Sequence, residues 1–193
     1  MSTVHGLVLA AGAGRRMGMP KALKRDADGT PWLARAVGVL REGGCAEVTV
    51  VLGACEGRSA GLAPDAHHVL CPEWSDGLGA SLACGLRELL ATEADVAMIH
   101  LVDLPDVGAA VAQRLLRTRM HRDALARAVY QGEAGHPVLI GRSHWEAVIA
   151  ELAGDRGAGA YLRRAGAEEV ECGDLATGRD VDHPQEGPAE QGQ

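Results

Sequence analysis

Residues 7–23 read LVLAAGAGRRMGMPKAL, and this stretch decides the fold of the chain. The apolar run over residues 4–11 predicts a buried strand. Three glycines and three cations follow it, in the order Gly12, Gly14, Arg15, Arg16, Gly18 and Lys21. Because glycine has no Cβ, the backbone N–H groups of such a loop can approach an anion closely, and the cations neutralise phosphate oxygens. The stretch therefore predicts a polyphosphate-binding loop after a buried strand.

Two common phosphate loops do not fit this stretch. The dinucleotide fingerprint G-x-G-x-x-G leads straight into a helix and has an acidic residue about 20 positions later. Here the spacing is G-x-G-x-x-x-G, Pro20 interrupts a helical continuation, and the next strand ends at Leu52 and Gly53 without an acid. A Walker loop requires Gly-Lys-Ser/Thr, and no glycine precedes Lys21. We therefore expect a loop that wraps phosphates without the usual helix start beneath them.

The composition indicates one globular α/β domain. The chain has 193 residues, of which 47% are hydrophobic but none is Phe, so Val, Leu, Ala and Ile must fill the core. We expect a single domain over residues 1–186 and a disordered tail over residues 187–193. The net charge of −7 argues against nucleic-acid and acidic-membrane partners and favours a small anionic ligand at the local basic cluster.

Cysteine usage and hydropathy indicate a cytoplasmic protein. The five cysteines form no C-x-x-C pair, and their odd number argues against a disulfide framework. Free thiols in a reducing compartment are the simplest interpretation. No stretch approaches the ~20 apolar residues of a membrane span, and the N-terminus has no signal-peptide pattern.

Strand and helix patterns alternate along the chain. Strands are predicted at 4–9, 48–52, 67–71, 96–102, 126–130, 135–140 and 168–172. Helices are predicted at 31–41, 82–91, 109–119, 143–152 and 158–164, with a short one within 56–66. Thr30 is the expected N-cap of the first helix, with Pro31 at its first position, and Asp155 is the expected cap of the last.

A carboxylate follows the strand predicted at 96–102. Asp103 would lie at the carboxyl end of that strand, where open α/β sheets bind ligands, and carboxylate and phosphate oxygens together suit Mg²⁺. The alternative is that Asp103 caps the helix that begins near Gly108, although Asp106 is better placed for that role. A second polar turn, at residues 74–81, either binds an anion or base edge or is capped by Asp76 or Ser81.

These motifs resemble a known family. Residues 9–12, 16–18 and 20–21 match the signature L-A-A-G-x-x-x-R-M-G-x-P-K of nucleotidyltransferases, in particular the MobA/MocA-like branch that includes molybdenum cofactor cytidylyltransferase. The resemblance continues through W-x-x-G-x-x-x-S at 74–81, the acid Asp103 before Pro105, GHPVLI at 135–140, G-D-x-G at 154–157 and D-x-D-x-P at 180–184. It implies a Rossmann-like, GT-A-like fold, a mostly parallel sheet with helices on both faces and one mixed edge.

The resemblance also implies an activity and a set of site residues. The activity is Mg²⁺-dependent transfer of a nucleotide, most simply CMP from CTP, to a phosphorylated acceptor such as molybdopterin, and a molybdoenzyme is the implied partner. Arg16, Lys21 and Asp103 would be catalytic, Asp103 and Asp182 would hold the metal, and His136 and Arg156 would contact the acceptor. The nucleotide-binding set is Leu9, Ala10, Ala11, Gly12, Gly14, Arg16, Lys21, Gly53, Gly79, Ser81 and Asp103.

Some details leave alternatives open. The CTP preference depends on Ala10-Ala11, since relatives that use GTP tend to have glycine at the second position. Around Pro184 the chain has His183 and Gln185-Glu186 where the family has Thr and an acid pair. Proteins named nicotine blue oxidoreductase resemble the same pattern, which implies an NAD(P)H-dependent oxidoreductase as one alternative. A non-catalytic carrier of molybdenum cofactor is another.

Overall fold

The computed structural model describes residues 2–54, 56–118 and 120–181 and contains one seven-stranded sheet. The strands are β1 (Val4–Leu9), β2 (Glu47–Leu52), β3 (His67–Leu70), β4 (Val96–Leu101), β5 (Leu125–Tyr130), β6 (Glu133–Gly141) and β7 (Glu168–Glu171). Their order across the sheet is β3-β2-β1-β4-β6-β5-β7. The fold is therefore the predicted α/β arrangement, with the strand that precedes the glycine loop near the middle of the sheet.

The sheet is parallel except at β6, which is antiparallel to both β4 and β5. The antiparallel strand thus lies inside the sheet, and β5 and β7 extend beyond it as a further parallel pair. A two-residue turn with positive φ at Gln131 (55°) and Gly132 (84°) joins β5 to β6. Such a turn matches the right-handed twist of a hairpin, which is why the direction reverses here.

Helices cover both faces of the sheet. They are α1 (Trp32–Gly43), α2 (Glu56–Ser59), α3 (Leu78–Leu90), α4 (Ala109–Leu115), α5 (Trp145–Glu151) and α6 (Gly159–Arg164). All six residues of β1 are buried, and alternate side chains enter different cores, with Val8 packing on the α1 and α4 side and Leu7 on the α3 and α5 side. A doubly covered parallel strand explains why this segment is a continuous apolar run rather than an alternating one.

Some helix boundaries differ from the predicted ones. The first helix begins at Trp32, with Pro31 in the N-cap position and no side-chain cap from Thr30. The helix predicted at 82–91 begins four residues earlier, at Leu78, and α4 ends at Leu115 rather than Arg119. The last helix has Ala158 as its N-cap residue, so the predicted Asp155 cap is wrong. The predicted tail at 187–193 lies outside the described residues.

Candidate active site

The glycine loop begins where β1 ends and is held against β2. The Ala10 N–H donates to the Val51 carbonyl at 3.0 Å, and the Ala11 carbonyl accepts from the Ala54 N–H at 3.1 Å. Both alanines are buried, with 2% and 3% exposure. The loop therefore has a fixed starting point, and the Ala10 N–H is already used within the sheet edge.

The glycines of the loop have different structural roles. Gly14 and Gly18 flank a 3-10 turn formed by Arg15–Met17, and both have left-handed backbone angles, with φ of 60° and 69°. A Cβ at position 14 would lie 1.9 Å from the Met19 carbonyl oxygen, so the loop folds back on itself there. A Cβ at Gly12 would meet nothing within 4 Å. Gly14 therefore shapes the turn, whereas Gly12 borders open space of the kind that a phosphate would occupy.

Lys21 and Asp103 meet at the carboxyl edge of the sheet. The Lys21 Nζ lies 2.6 Å from Asp103 Oδ2, and the two side chains are 17% and 15% exposed. Lys21 begins a 3-10 turn directly after Pro20, while Asp103 follows the end of β4. The Val102 N–H donates to the Leu9 carbonyl at 3.4 Å, which ties the segment before Asp103 to the start of the glycine loop. Residues 82 positions apart thus form one mostly buried ion pair.

The C-terminal segment returns to the same place. The Val181 N–H donates to the Asp103 carbonyl at 3.1 Å. Asp106 Oδ2 accepts from both the N–H and the hydroxyl of Thr177, each at 2.6 Å, and so anchors this segment rather than capping α4. The helix α4 has no side-chain cap at Gly108. Asp182, the second expected metal ligand, lies outside the described residues and stays a prediction.

The first turn of α3 packs against the loop at 153–156. The Gly79 N–H donates to the Gly154 carbonyl at 2.9 Å, and a Cβ at Gly79 would lie 2.7 Å from the Arg156 carbonyl. Ser81 is 5% exposed, and its hydroxyl donates to the Gly77 carbonyl at 3.4 Å. The structure thus brings Gly79 and Arg156 together through their backbones. The nucleotide-binding role of Gly79 and Ser81 stays a prediction.

Gly53 and His136 also lie at this edge. A Cβ at Gly53 would be 2.5 Å from Trp74 Cγ and 2.7 Å from the Ala11 carbonyl oxygen, so Gly53 is needed for close packing beside the loop. The His136 carbonyl accepts from the Tyr130 hydroxyl at 2.6 Å. Burial lowers the pKa of His136 to about 4, so its ring is neutral at pH 7. His136 would therefore contact an acceptor by hydrogen bonding and not as a cation.

A comparison with known protein families shows the family to which this chain belongs. The chain matches the MobA-like NTP transferase domain over residues 6–170. This range includes the glycine loop, Lys21, Asp103 and His136, and it ends before the C-terminal segment that contacts Asp103 and Asp106. The chain belongs to the MobA-like NTP transferase family. By its family it is a nucleotidyltransferase, an enzyme that acts on a nucleoside triphosphate and an acceptor.

Similar proteins agree with the fold of this transferase and add one different name. It is 34% identical over 195 residues to a protein of Paenarthrobacter nicotinovorans named nicotine blue oxidoreductase, covering 93% of this chain and 92% of the relative. The structure of this transferase resembles that of Rv0371c of Mycobacterium tuberculosis (24% identity, TM-score 0.77, 94% of each chain). It also resembles the nucleotidyl transferase Mth528 of Methanothermobacter thermautotroptrophicus (21% identity, TM-score 0.78, 95% and 93% coverage).

The donor atoms of this transferase fit a metal that arrives with the nucleotide. Within the described ranges no group of three or more His, Cys, Asp or Glu side chains could hold a metal ion. Asp103 supplies one carboxylate, and Mg²⁺ commonly takes one or two carboxylates together with substrate phosphates and water. Nucleotidyltransferases generally use divalent metals, and a structure of Rv0371c is a complex with manganese. Asp103 is thus suited to a metal shell that is shared with substrate phosphates.

Sequence reasoning missed one charged residue beside this edge. Arg127 in β5 is 9% exposed and lines an apolar cavity together with His136. The signal was available, because an arginine stands in the middle of the otherwise apolar strand LARAVY.

Among the residues that the structure describes, no helix is both long and apolar enough to cross a membrane.

Proposed function

We propose that this transferase moves CMP from CTP to a phosphorylated acceptor such as molybdopterin, with Mg²⁺, and releases pyrophosphate. The observation that carries the proposal is the Lys21–Asp103 pair at 2.6 Å beside the glycine loop. One residue of this pair suits phosphate oxygens and the other suits a divalent cation. The choice of CTP rests on Ala10-Ala11, and a cytoplasmic molybdoenzyme is the proposed recipient of the product.

The reaction requires alignment and charge neutralisation more than a nucleophilic side chain. An oxygen of the acceptor phosphate forms a bond to the α-phosphorus, and the bond from that phosphorus to the bridging oxygen breaks. Pyrophosphate leaves with the electron pair, and no proton has to move when the acceptor is a phosphate dianion. Both reactants are anions, so cations that approach the triphosphate and a fixed in-line geometry lower the barrier.

The chain's own residues would share these tasks. Lys21, with Arg16 from the Arg15–Met17 turn, would stabilise negative charge on the triphosphate and on the leaving pyrophosphate. Asp103, with Asp182, would hold Mg²⁺, which when bound offsets charge at the α-phosphate. Backbone groups of residues 10–12 would read the base edge. When the nucleotide binds with its metal, Lys21 would pair with the phosphates and Asp103 with the metal ion. These two contacts would replace the pairing of Lys21 with Asp103.

The test compares two lysines three positions apart. Lys21→Ala should abolish pyrophosphate release in the presence of CTP, Mg²⁺ and molybdopterin while the protein remains folded, with a melting temperature that falls because Asp103 loses its partner. Lys24→Ala is the matched control, since Lys24 Nζ lies over the Trp32 ring at 4.4 Å. Unchanged pyrophosphate release by Lys21→Ala would contradict the proposal. Release with GTP but not CTP would correct the nucleotide, and molybdopterin binding without any release would indicate a carrier.

A second candidate function follows from the relative named nicotine blue oxidoreductase, at 34% identity over nearly the whole chain. In this alternative the chain uses NAD(P)H to reduce a dye of the nicotine blue type. The test is consumption of NADPH in the presence of nicotine blue, measured with the wild-type protein. Oxidation of NADPH that depends on the dye would support this function, and its absence alongside pyrophosphate release would favour transfer.

A further inference from the structure

A cavity of about 200 Å³ lies between β6, α3 and α6. Most of its walls are aliphatic side chains, namely Leu9, Leu82, Ile99, Val138, Ile140 and Leu162. Leu9 ends β1 directly before the glycine loop, so the cavity starts at the edge of the sheet where Lys21 and Asp103 meet. Such walls stabilise an apolar or flat aromatic surface and offer no partners to a polyhydroxylated one.

Arg127 brings a buried positive charge into this apolar lining. It lies opposite Val138 in the β5–β6 register and opposite Glu169 in the β5–β7 register. The register shifts between Arg127 and Val129, an irregularity of the kind that re-aims side chains near functional sites. Arg127 is 9% exposed and lines the cavity.

The guanidinium of Arg127 is only partly satisfied. Its Nη2 donates to Glu169 Oε1, whose side chain is 54% exposed, while its buried Nε has no hydrogen-bond partner. A buried donor without a partner is costly, and the cost is larger for a charged group. Arg163 of α6, an exposed residue, also lines the cavity and adds a second positive charge. The lining therefore combines apolar walls with two arginine side chains.

We propose that this cavity binds the acceptor, and that the acceptor is a compact molecule with a flat aromatic body and one carboxylate or phosphate group held by Arg127. That the bound molecule is the acceptor rests on the proposed nucleotidyl transfer, whereas its binding to the cavity does not. Arg127 acts as a binding and specificity residue. Neutral His136, on the same lining, contributes a hydrogen bond and no charge. Sugar phosphates are poor ligands because their hydroxyls would lose water against aliphatic walls.

The experiment measures binding by calorimetry without nucleotide. The probes are 1-naphthyl phosphate, 1-naphthoate, neutral 1-naphthol and glucose 1-phosphate. Both naphthyl anions should bind. Tighter binding of 1-naphthyl phosphate would show that phosphate is the preferred group, and tighter binding of 1-naphthoate would show that carboxylate is. Glucose 1-phosphate should bind at least about tenfold more weakly than either. Arg127→Gln should weaken binding of the preferred anion by roughly 10- to 100-fold and leave 1-naphthol unchanged.

Two further variants keep the test decisive. Arg164→Gln is the matched control, since Arg164 follows Arg163 on α6, pairs with Glu151 and does not line the cavity, and it should bind all probes like wild type. Glu169→Gln leaves the guanidinium in place but removes its carboxylate partner, so it should tighten binding of the anions by about two- to fivefold. If Arg127→Gln fails to fold, the Glu169→Gln result decides: no change in anion binding overturns the proposal.

The outcome is separable from that of the proposed function. Anion binding that depends on Arg127 in a protein that releases no pyrophosphate would overturn the transfer reaction and keep the cavity as a ligand site. Pyrophosphate release with an unchanged acceptor KM in Arg127→Gln would keep the transfer and overturn the role of Arg127. Equal binding of 1-naphthol and 1-naphthoate by wild type would also overturn it.

Discussion

Replacing Asp103 with Asn should tighten nucleotide binding in the absence of metal and lower turnover in its presence. In the free protein, Asp103 Oδ2 accepts from Lys21 Nζ at 2.6 Å, and both side chains are more than four-fifths buried. A triphosphate without metal must therefore take Lys21 away from a carboxylate. Asn keeps the size of Asp and a neutral acceptor oxygen, but it removes the negative charge that competes with the phosphates.

The size of the effect follows from the kind of hydrogen bond that is lost. A charge-assisted hydrogen bond contributes about 1.5–3 kcal/mol and a neutral one about 1 kcal/mol, so the competition falls by roughly 0.5–2 kcal/mol. Binding of CTP in EDTA should become roughly 2- to 30-fold tighter in Asp103→Asn. In Mg²⁺ the loss of a carboxylate ligand should lower pyrophosphate release by at least about 100-fold.

The assay is a CTP titration by calorimetry in EDTA and in Mg²⁺, followed by coupled detection of pyrophosphate. Asp174→Asn is the control, because it removes the same charge from an ion pair with Arg114 in which the Asp174 side chain is 61% exposed. That variant should behave like wild type in both buffers. If Asp103→Asn binds metal-free CTP no better than wild type does, Lys21 and Asp103 do not compete with the nucleotide in the way that we infer.

Three other substitutions test the loop and the core. Gly12→Ala should keep the wild-type melting temperature, since its Cβ meets nothing within 4 Å, and lose about tenfold in CTP affinity by occupying phosphate space. Gly14→Ala should lose about 2 kcal/mol of stability, roughly 4–8 °C in melting temperature, because its φ is 60° and its Cβ would strike Met19. Burial lowers the pKa of His100 to about 3, below its unfolded value near 6.5, so the unfolded state takes up a proton first as pH falls. Between pH 7.5 and pH 5 the free energy of unfolding measured with urea should therefore fall by about 2 kcal/mol more in wild type than in His100→Gln, in which other buried histidines such as His136 still titrate; equal losses in both proteins would contradict this.

The site nearest the first strand could be predicted because it is built from local sequence. Gly12, Gly14 and Lys21 follow β1 within a few residues, and their types alone specify backbone room and positive charge. The meeting of Lys21 with Asp103 also followed, since carboxyl ends of parallel strands share one edge. The catalytic and binding roles of all these residues, and those of Arg16 and Arg156, stay predictions.

Other features could not be predicted because they depend on contacts between distant segments. Apolar periodicity gives no strand direction, so the antiparallel position of β6 within the sheet was not visible. The first turn of α3 lacks an apolar pattern and a side-chain cap, and it is instead supported by the Gly154 carbonyl. The surroundings of Arg127 depend on its strand partners Val138 and Glu169, which follow it by 11 and 42 positions. Its place beside the cavity was therefore not visible in the local sequence.

The two parts of the site bear differently on the two candidate activities. The apolar cavity with Arg127 suits a flat anionic molecule whether that molecule receives a nucleotide or an electron pair. The Lys21–Asp103 pair is specific, because a triphosphate with its metal can exchange with both charges at once, whereas hydride transfer requires neither a buried cation nor a carboxylate at that edge. The presence of both charges beside the glycine loop therefore weighs toward nucleotidyl transfer. If Lys21→Ala stopped pyrophosphate release but left dye-dependent NADPH oxidation intact, one protein would carry both chemistries on a shared cavity.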